Sequence, residues 1–344
     1  VFSGYQRDSY LVNAHVPRFG SGEAKGVIDE SVRGMDLYIL VDVCNYSLTY
    51  SMSGNTNHMS PDDHYQNLKR IIAAVGGKAK RINVIMPFLY ESRQHKRSSR
   101  ESLDCALALQ ELTHMGVDNI ITFDAHDPRV QNAIPLSGFE TVRPTYQFVK
   151  GLLDRYDDLI IDSDHMMAIS PDEGATERAV YLANVLNLDM GMFYKRRDYT
   201  RVVNGRNPIV AHEFLGSSVE GKDVIILDDM ISSGDSILDV AKQLKSRNAK
   251  RIFAAATFGL FTNGLDKFDE AYESGLIDGV LTTNLIYQTP ELLSRPYYIN
   301  CDMSKYVALM IDTLNHDGSI SDILDPSERI QVCVEEYKKA HGQL

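Results

Sequence analysis

Two adjacent aspartates and the hydroxyl-rich turn after them are the residues of this sequence best suited to bind a sugar phosphate. Asp228 and Asp229 follow the apolar run 224–227, which predicts a buried strand. Their carboxylates can accept hydrogen bonds from the vicinal hydroxyls of a sugar. A helix is predicted after the turn, and its N-terminus would attract a phosphate. The residues of the turn are Ser232, Ser233, Gly234, Asp235 and Ser236.

The alternative is an ordinary strand-to-helix turn in which Ser236 or Asp235 merely caps the helix. Two neighbouring acids at the end of a buried strand argue against that alternative, because buried charges are costly unless they are paired. We therefore interpret the segment as a site for a sugar phosphate.

An aspartate and a histidine follow the strand predicted at 119–123. Asp124 and His126 come directly after this strand, and residues two apart face the same side if the extended conformation persists. Ligands of open α/β sheets bind beyond the carboxyl ends of the strands. The pair is a candidate magnesium or phosphate site, and a purely structural role stays equally open.

A basic segment follows the strand predicted at 81–88, in a chain whose formal net charge is −12. Such a run is most often a solvated surface. Its position after a strand end makes contact with a polyphosphate at least as well supported. The five basic side chains are Arg93, His95, Lys96, Arg97 and Arg100.

Two segments of the C-terminal half complete the candidate chemistry. The small-residue turn within 169–178 precedes a helix and predicts a second phosphate cradle. Lys195 and Arg197 follow a strand predicted at 190–194, and the polar stretch 198–212 has the composition of a mobile loop. A mobile basic loop beside a strand end is typical of a segment that closes over a substrate.

The elements that must position these side chains alternate between strand and helix. This alternation predicts an α/β fold with two Rossmann-like domains, at 1–145 and 146–344, and mainly parallel sheets covered on both faces. A long surface loop is expected at 45–62. Strands are predicted at 35–44, 81–88, 119–123, 159–162, 190–194, 224–227, 251–258, 279–283 and 297–302, and helices at 62–75, 101–115, 144–153, 236–244, 264–274 and 304–315.

Composition restricts the class of partner. The acidic balance argues against a nucleic acid or an anionic membrane surface. No apolar run approaches the ~18 residues of a membrane span, and the first residues do not resemble a signal peptide. The four cysteines are scattered without a CxxC pair, which indicates reduced thiols. We therefore expect a cytoplasmic protein.

Taken together, these segments resemble the ribose-phosphate pyrophosphokinases, the synthetases of phosphoribosyl diphosphate (PRPP). Type I phosphoribosyltransferases would share only the last of the matching segments. The match runs from Phe19 to about Leu324 and rests on Glu30-Ser31-Val32-Arg33-Gly34, Arg93-Gln94, Ser99-Arg100, Ile120-Ile121-Thr122-Phe123-Asp124-Ala125-His126, Ser170-Pro171-Asp172, Lys195 with Arg197, and Asp228-Asp229-Met230.

The resemblance implies two phosphoribosyltransferase-like domains, ATP and ribose 5-phosphate as substrates, and Mg²⁺ as cofactor. It also implies a homo-oligomer, often a hexamer, with the active site near a subunit interface and a product used in nucleotide biosynthesis. The implied residues are Arg93, Gln94 and Arg100 for ATP; Phe19, Ser21 and Glu23 for the adenine bound to an adjacent subunit; His126, Asp172 and Asp124 for magnesium; Asp228, Asp229 and Ser232, Ser233, Gly234, Asp235 and Ser236 for ribose 5-phosphate; and Lys195 and Arg197 for catalysis.

Three positions depart from the family pattern. The family usually has Asp where His95 and Ser232 stand and Gly where Asp235 stands. We expect the extra carboxylate of Asp235 to weaken ribose 5-phosphate binding, unless it points away from the phosphate. Two alternatives stay open: a non-catalytic, synthetase-like regulatory subunit, and a type I phosphoribosyltransferase, against which Arg93-Gln94 argues.

Overall fold

The structure is a computed structural model that describes residues 9–197 and 209–343, without the side chains of 195–197 and 209–212. Contacts divide the chain into two compact units. Unit 1 consists of Val1–Arg143, Asn284–Tyr287 and Met303–Leu324, and unit 2 of Pro144–Thr283, Gln288–Asp302 and Asp325–Leu344.

Strands and helices alternate through both units. The strands are β1 (Ala14–His15), β2 (Val27–Ile28), β3 (Asp36–Leu40), β4 (Thr49–Met52), β5 (Asn55–His58), β6 (Arg81–Ile85), β7 (Asn119–Phe123), β8 (Gly138–Val142), β9 (Met166–Ser170), β10 (Asp189–Arg197), β11 (Ile209–Leu215), β12 (Asp223–Ile231), β13 (Ile252–Gly259), β14 (Gly279–Thr283) and β15 (Tyr298–Cys301). The helices are α1 (Pro61–Val75), α2 (Asp104–His114), α3 (Thr145–Arg155), α4 (Thr176–Leu186), α5 (Asp235–Lys245), α6 (Asp266–Glu273), α7 (Pro290–Leu293), α8 (Ser304–Asn315), α9 (Ser321–Leu324) and α10 (Ser327–Ala340), with a 3-10 turn at Pro128–Ala133.

Unit 1 contains a four-stranded sheet in the order β3-β6-β7-β8, and all its neighbours are parallel. Two small antiparallel hairpins, β1-β2 and β4-β5, accompany it. Helix α1 has well-defined ends: Ser60 and Asp63 form a reciprocal capping box at its start, and Gly76 ends it in the left-handed conformation. Local sequence therefore fixes α1 where it was predicted.

Unit 2 contains a seven-stranded sheet in the order β11-β10-β9-β12-β13-β14-β15. Neighbouring strands are parallel except β10 and β11. Apolar side chains of α3, α4 and α10 pack on one face, and those of α5 and α6 pack on the other. Burial on both faces explains the continuous apolar runs of β12 and β13. The predicted α/β class with mainly parallel sheets is confirmed.

Both sheets contain the same kind of ion pair, formed at the starts of two adjacent strands. In unit 1, Arg81 on β6 pairs with Asp36 on β3, and in unit 2 Arg251, directly before β13, pairs with Asp223 on β12. The hydrogen bonds from Arg81 hold the pKa of Asp36 below its ordinary value. The units thus share a structural device that no repeat in the sequence reveals.

Two predicted segments differ from the structure. The 45–62 segment is not all loop, because β4 and β5 form a hairpin whose turn residues Ser53 and Gly54 both have positive φ (51° and 81°), as in a type I′ turn. The strand predicted at 159–162 is wrong, and the strand of this region is β9. Asp162 instead closes a turn by accepting from the N–H of Asp164 at 3.0 Å.

No helix in the described parts of the chain combines the length and the hydropathy needed to cross a membrane.

Candidate functional site

Asp228 and Asp229 lie within the last part of β12, not at its end. β12 pairs with β13 as far as Ile231, so the strand continues for two residues beyond the predicted acidic terminus. Asp229 is 4% exposed, and its N–H donates to Asp228 Oδ1 over 2.9 Å. The sheet therefore holds both acids near the carboxyl end of β12, one of its central strands.

The surroundings of Asp228 destabilise its ionised form. Burial raises the pKa of this carboxyl well above its ordinary value, and the negative charges of Asp229 and Asp172 raise it further. A ligand that supplies hydrogen-bond donors or positive charge would stabilise the ionised carboxylate. Sugar hydroxyls and a divalent cation both have that property.

The turn after β12 is shaped by glycine. Gly234 has φ 84°, and a Cβ built on it would lie 2.4 Å from Cε2 of Phe268, whose side chain is completely buried. The entry to the turn is fixed because Thr262 N–H donates to the carbonyl of Ser232 at 3.0 Å. Gly234 is the N-cap residue of α5 and has no side chain with which to cap it. This arrangement suits an anion at the start of the helix.

Asp235 is the first residue of α5, and each of its two carboxylate oxygens accepts a hydrogen bond. Lys267 Nζ lies 2.5 Å from its Oδ1, and Ser233 Oγ donates to its Oδ2 at 2.9 Å. The hydrogen bond from Lys267 is the largest cause that lowers the pKa of Asp235. The carboxylate is therefore ionised but paired, whereas the sequence suggested an uncompensated charge.

Asp172 occupies the turn between β9 and α4. Its Oδ1 accepts from the N–H of Gly174 at 2.9 Å and from that of Ala175 at 3.3 Å. The carboxylate thus takes up N–H groups that the predicted phosphate cradle at 169–178 would have offered to a ligand. Asp172 also contributes to the raised pKa of Asp228, which places it in the same electrostatic environment.

The backbone of Lys195 and Arg197 belongs to β10, which is longer than the predicted strand at 190–194. Lys195 pairs with His212 of β11, and the register shifts between Arg196 and Arg197. The side chains of Lys195 and Arg197 lie outside the described residues. The same is true of 198–208, the main part of the segment predicted to close over a substrate.

In unit 1 the extended conformation does not persist beyond β7. Asp124 adopts φ 43°, and its N–H donates to the carbonyl of Val142 at 2.9 Å. Asp124 is buried and His126 is exposed, so the expectation that both face the same side is wrong. The left-handed backbone at Asp124 is the physical reason.

His126 has a neighbour that the sequence did not point to. The ring of His95 lies 5.3 Å from that of His126, and Nε2 of His95 lies 3.5 Å from Oδ2 of Asp127. Burial lowers the pKa of His95 although Asp127 opposes this shift. The two imidazoles and the carboxylate of Asp127 form one polar cluster at the end of β7.

The basic segment of unit 1 exposes Arg93 and Arg100, whereas Gln94 is partly buried. The side-chain amide of Gln94 donates to the carbonyls of Lys96 at 3.2 Å and Ser102 at 2.9 Å. Gln94 thereby closes the basic loop on itself, and its carbonyl oxygen is the part of the amide that these two bonds leave for a ligand.

The residues predicted for adenine lie on a tight turn between Arg18 and Ala24, which form an isolated antiparallel bridge. Phe19 is 54% exposed, and Ser21 Oγ donates to Glu23 Oε2 at 2.9 Å. An exposed aromatic ring beside short polar side chains is suited to stacking on a base.

Comparison with known proteins gives the family. Residues 6–116 match the N-terminal domain of ribose phosphate pyrophosphokinase, and residues 143–282 match the phosphoribosyl transferase domain. A ribose-phosphate pyrophosphokinase of Mycoplasma genitalium is 31% identical over 272 residues, covering 78% of this chain and 74% of the relative. One of Shewanella oneidensis is 30% identical over 315 residues, covering 90% of each. The chain belongs to the ribose-phosphate pyrophosphokinase family.

A solved structure supports the fold of this pyrophosphokinase family member. Phosphoribosylpyrophosphate synthetase from Mycobacterium smegmatis matches with a TM-score of 0.74 and 24% identity, covering 90% of this chain and 93% of that one. The family models and the two relatives confirm the resemblance noted in the sequence, and with it the membership of an enzyme family.

The donor set is compatible with magnesium bound together with a substrate. Across the described residues, no group of three or more His, Cys, Asp and Glu side chains is arranged to hold a metal by itself. Mg²⁺ commonly uses one or two carboxylates and takes its other ligands from water and substrate phosphates. Burial and the nearby carboxylates of Asp229 and Asp172 raise the pKa of Asp228, and added positive charge at this edge of unit 2 would offset both.

Three residues of these surroundings were missed by sequence reasoning. Asp127 directly follows His126 and caps the 3-10 turn, so the Asp-Pro pair was an available local signal. Lys267 and Phe268 contact the turn from α6, more than 30 residues away in the chain. No local pattern links them to Gly234 or Asp235.

Proposed function

We propose that this chain transfers the diphosphoryl group of ATP to the C1 hydroxyl of ribose 5-phosphate in a Mg²⁺-dependent reaction. The anomeric oxygen attacks the β-phosphorus, the bond between that phosphorus and the oxygen bridging to the α-phosphorus breaks, and AMP leaves. The hydroxyl proton is released and the product is PRPP, a precursor for nucleotide biosynthesis. Family membership over nearly the whole chain is the observation that carries this proposal.

Unit 2 would bind the acceptor. Asp228 and Asp229 would accept hydrogen bonds from the ribose hydroxyls, and the turn 232–236 with the N-terminus of α5 would hold the 5-phosphate. This assignment is supported by the rigid position of the acids on β12 and by the glycine-shaped turn. Lys195 and Arg197 would neutralise charge on the transferring group.

Unit 1 would bind the nucleotide. Arg93, Gln94 and Arg100 would contact ATP, and Phe19, Ser21 and Glu23 would meet the adenine held by an adjacent subunit of a homo-oligomer. The exposure of Phe19 and of both arginines supports these roles.

His126, Asp172 and Asp124 would serve magnesium, with buried Asp124 in a supporting position. When bound, the ion would neutralise charge on the phosphates. The chain itself contributes oxygen and nitrogen donors at the carboxyl ends of β7 and β9. We further propose a cytoplasmic location, which the four free thiols support.

The decisive test incubates the purified protein with ATP, ribose 5-phosphate and Mg²⁺. We expect AMP and PRPP in equal amounts, detected by chromatography and phosphorus NMR, and neither product when ribose 5-phosphate is omitted. AMP formation would exclude the non-catalytic regulatory subunit. If PRPP is consumed in the presence of a nucleobase while no AMP forms from ATP, the phosphoribosyltransferase alternative is correct instead.

A further inference from the structure

The phosphate turn contains an acidic residue where an anion is proposed to bind. Asp235 is the first residue of α5 and a member of the turn 232–236. A bare carboxylate in this position would repel a phosphate and also compete for the helix N-terminus. The chain must therefore either bind ribose 5-phosphate weakly or neutralise this charge.

The side chain of Asp235 is neutralised by contacts on both of its oxygens. Oδ1 accepts from Lys267 Nζ at 2.5 Å and Oδ2 accepts from Ser233 Oγ at 2.9 Å. Asp235 is 55% and Lys267 53% exposed, so the pair adds little to folding stability. Its effect is local: the cation cancels the negative charge at the start of α5.

The position of Lys267 is fixed by the residue next to it. Phe268 is completely buried, and its ring lies under Gly234, where it would be 2.4 Å from an added Cβ. Helix α6 therefore supplies both the apolar floor of the turn and, one residue earlier, the cation that reaches Asp235. Because Phe268 anchors α6 against the turn, packing places the backbone of Lys267 where its side chain can reach Asp235.

We propose that Lys267 is a positioning residue for the acceptor: it pairs with Asp235, draws its carboxylate aside and keeps the turn able to bind the phosphate of ribose 5-phosphate. The inference rests on the proposed function of the turn 232–236. Lys267 acts through Asp235 and does not itself touch the substrate.

The test compares Lys267→Met with the wild type in calorimetric titrations with ribose 5-phosphate and in steady-state assays. We expect the Kd and KM for ribose 5-phosphate to rise about five- to tenfold, as repulsion between two close negative charges in water predicts, with kcat and the KM for ATP nearly unchanged. The rise should shrink in high salt because exposed charges are screened. Lys267→Arg should restore most of the affinity.

A second substitution separates charge from structure. Adding Asp235→Asn to Lys267→Met removes the unpaired carboxylate, so the Kd should return towards the wild-type value. A matched control is Lys150→Met, which breaks another exposed lysine–aspartate pair of unit 2 (Nζ to Asp154 Oδ2, 2.6 Å) and should leave the Kd unchanged. Thermal melting of each variant checks that folding is intact.

Three outcomes would overturn the proposal. The Kd for ribose 5-phosphate could be unchanged in Lys267→Met, it could rise and stay raised when Asp235→Asn is added, or it could rise by the same factor in Lys150→Met. Titration with ribose 5-phosphate measures binding alone, so its result does not depend on whether AMP is formed. A wild type that binds ribose 5-phosphate but forms no AMP would contradict the proposed reaction and leave the role of Lys267 measurable. A wild type that does not bind ribose 5-phosphate contradicts both.

Discussion

The guanidinium of Arg18 lies 4.1 Å from the centre of the Tyr50 ring, so the turn that carries Phe19 rests on the β4-β5 hairpin. Arg18 also donates to the carbonyl of Gly22 at 3.0 Å and to Asp63 Oδ1 at 3.2 Å. One side chain thereby connects the turn, the hairpin and the first turn of α1. The hairpin, in a segment predicted to be a loop, therefore supports the turn that carries Phe19.

We expect Arg18→Met to raise the KM for ATP roughly fivefold and to leave the KM for ribose 5-phosphate unchanged. The substitution removes a cation–π contact and an ion pair, together about 1 kcal/mol, that hold the turn bearing Phe19 in place. Steady-state kinetics with each substrate varied in turn measure the effect. Arg329→Met is the matched control, because Arg329 stacks on Tyr146 in unit 2. Equal effects of the two variants would contradict a role of Arg18 in nucleotide binding.

The raised pKa of Asp228 predicts how ribose 5-phosphate binding depends on pH. Only the ionised carboxyl can accept hydrogen bonds from both sugar hydroxyls, so protonation competes with the sugar. The Kd should be constant above the raised pKa and increase as pH falls through it towards the ordinary value of 3.8. Titration calorimetry across that range, in buffers of different ionisation enthalpy, should also detect protons released on binding.

Asp228→Asn should bind ribose 5-phosphate weakly and lose this component of the pH dependence. Asp239→Asn, on the exposed side of α5, is the control and should keep it, since the carboxylate of Asp239 accepts from Lys242 Nζ at 3.4 Å. A wild-type Kd that does not change with pH would show that Asp228 does not contact the sugar.

The same pKa shift predicts a gain in stability. A carboxyl whose pKa is higher in the folded than in the unfolded state stabilises the fold while protonated, and this stabilisation is lost as pH rises through the folded-state pKa. At neutral pH, Asp228→Asn should therefore increase the free energy of unfolding by roughly 0.5–2 kcal/mol, a range common for single stabilising substitutions. Urea unfolding at neutral and acidic pH measures it, and the gain should fade at acidic pH. A loss of stability at neutral pH would mean that bonds to the carboxylate outweigh its burial.

Sequence patterns predicted the features of this molecule that depend on neighbours along the chain. The apolar run before Asp228 and the turn 232–236 are local, and their order of strand, turn and helix is as predicted. The hairpin within 45–62 escaped because the alternation of β4 covers only four residues and β5 has no apolar residue at all. Apolar residues at 159–162 suggested a strand, but Leu159 donates its N–H to the Tyr337 hydroxyl at 3.0 Å instead of to a neighbouring strand.

What the sequence could not supply are contacts made across space. Asp235 could be placed in the turn from its position, but the cation that pairs with it lies on α6. Likewise, the left-handed backbone at Asp124 depends on its bond to Val142 of β8. Both cases concern charged groups whose surroundings decide their effect.

Gly234→Ala should lower the free energy of unfolding more than Gly264→Ala, although the two glycines have similar backbone conformations. At Gly234 the methyl group would meet both a positive φ of 84° and the Phe268 ring. Gly264 has a similar φ of 78° with nothing near its Cβ position, so Gly264→Ala isolates the backbone cost of about 1–2 kcal/mol. Overpacking should add about 1–3 kcal/mol at Gly234, measured by urea unfolding, together with a higher Kd for ribose 5-phosphate.

Phe268→Leu in the Gly234→Ala background should recover part of the lost stability by making room for the methyl group. Equal destabilisation by Gly234→Ala and Gly264→Ala would argue against the clash with Phe268 as the cause.

Lys195→Ala should reduce kcat by about 10²–10³-fold and change neither KM by more than a small factor. Lys195 lies near the end of β10, beside the segment predicted to close over the substrates. An ammonium that meets the transferring group mainly in the transition state stabilises that state and not the ground state. Folding should be unaffected, which circular dichroism can verify.

Arg196→Ala is the control for Lys195→Ala, since it removes a neighbouring charge of the same strand to which the family resemblance gives no role. Single-turnover kinetics of both variants distinguish a chemical step from product release. A merely solvated lysine would give wild-type turnover, and that result would remove Lys195 from the mechanism. A large increase in the KM for ATP without loss of kcat would instead assign Lys195 to ground-state binding, because uniform binding energy changes KM and not the rate of the bound complex.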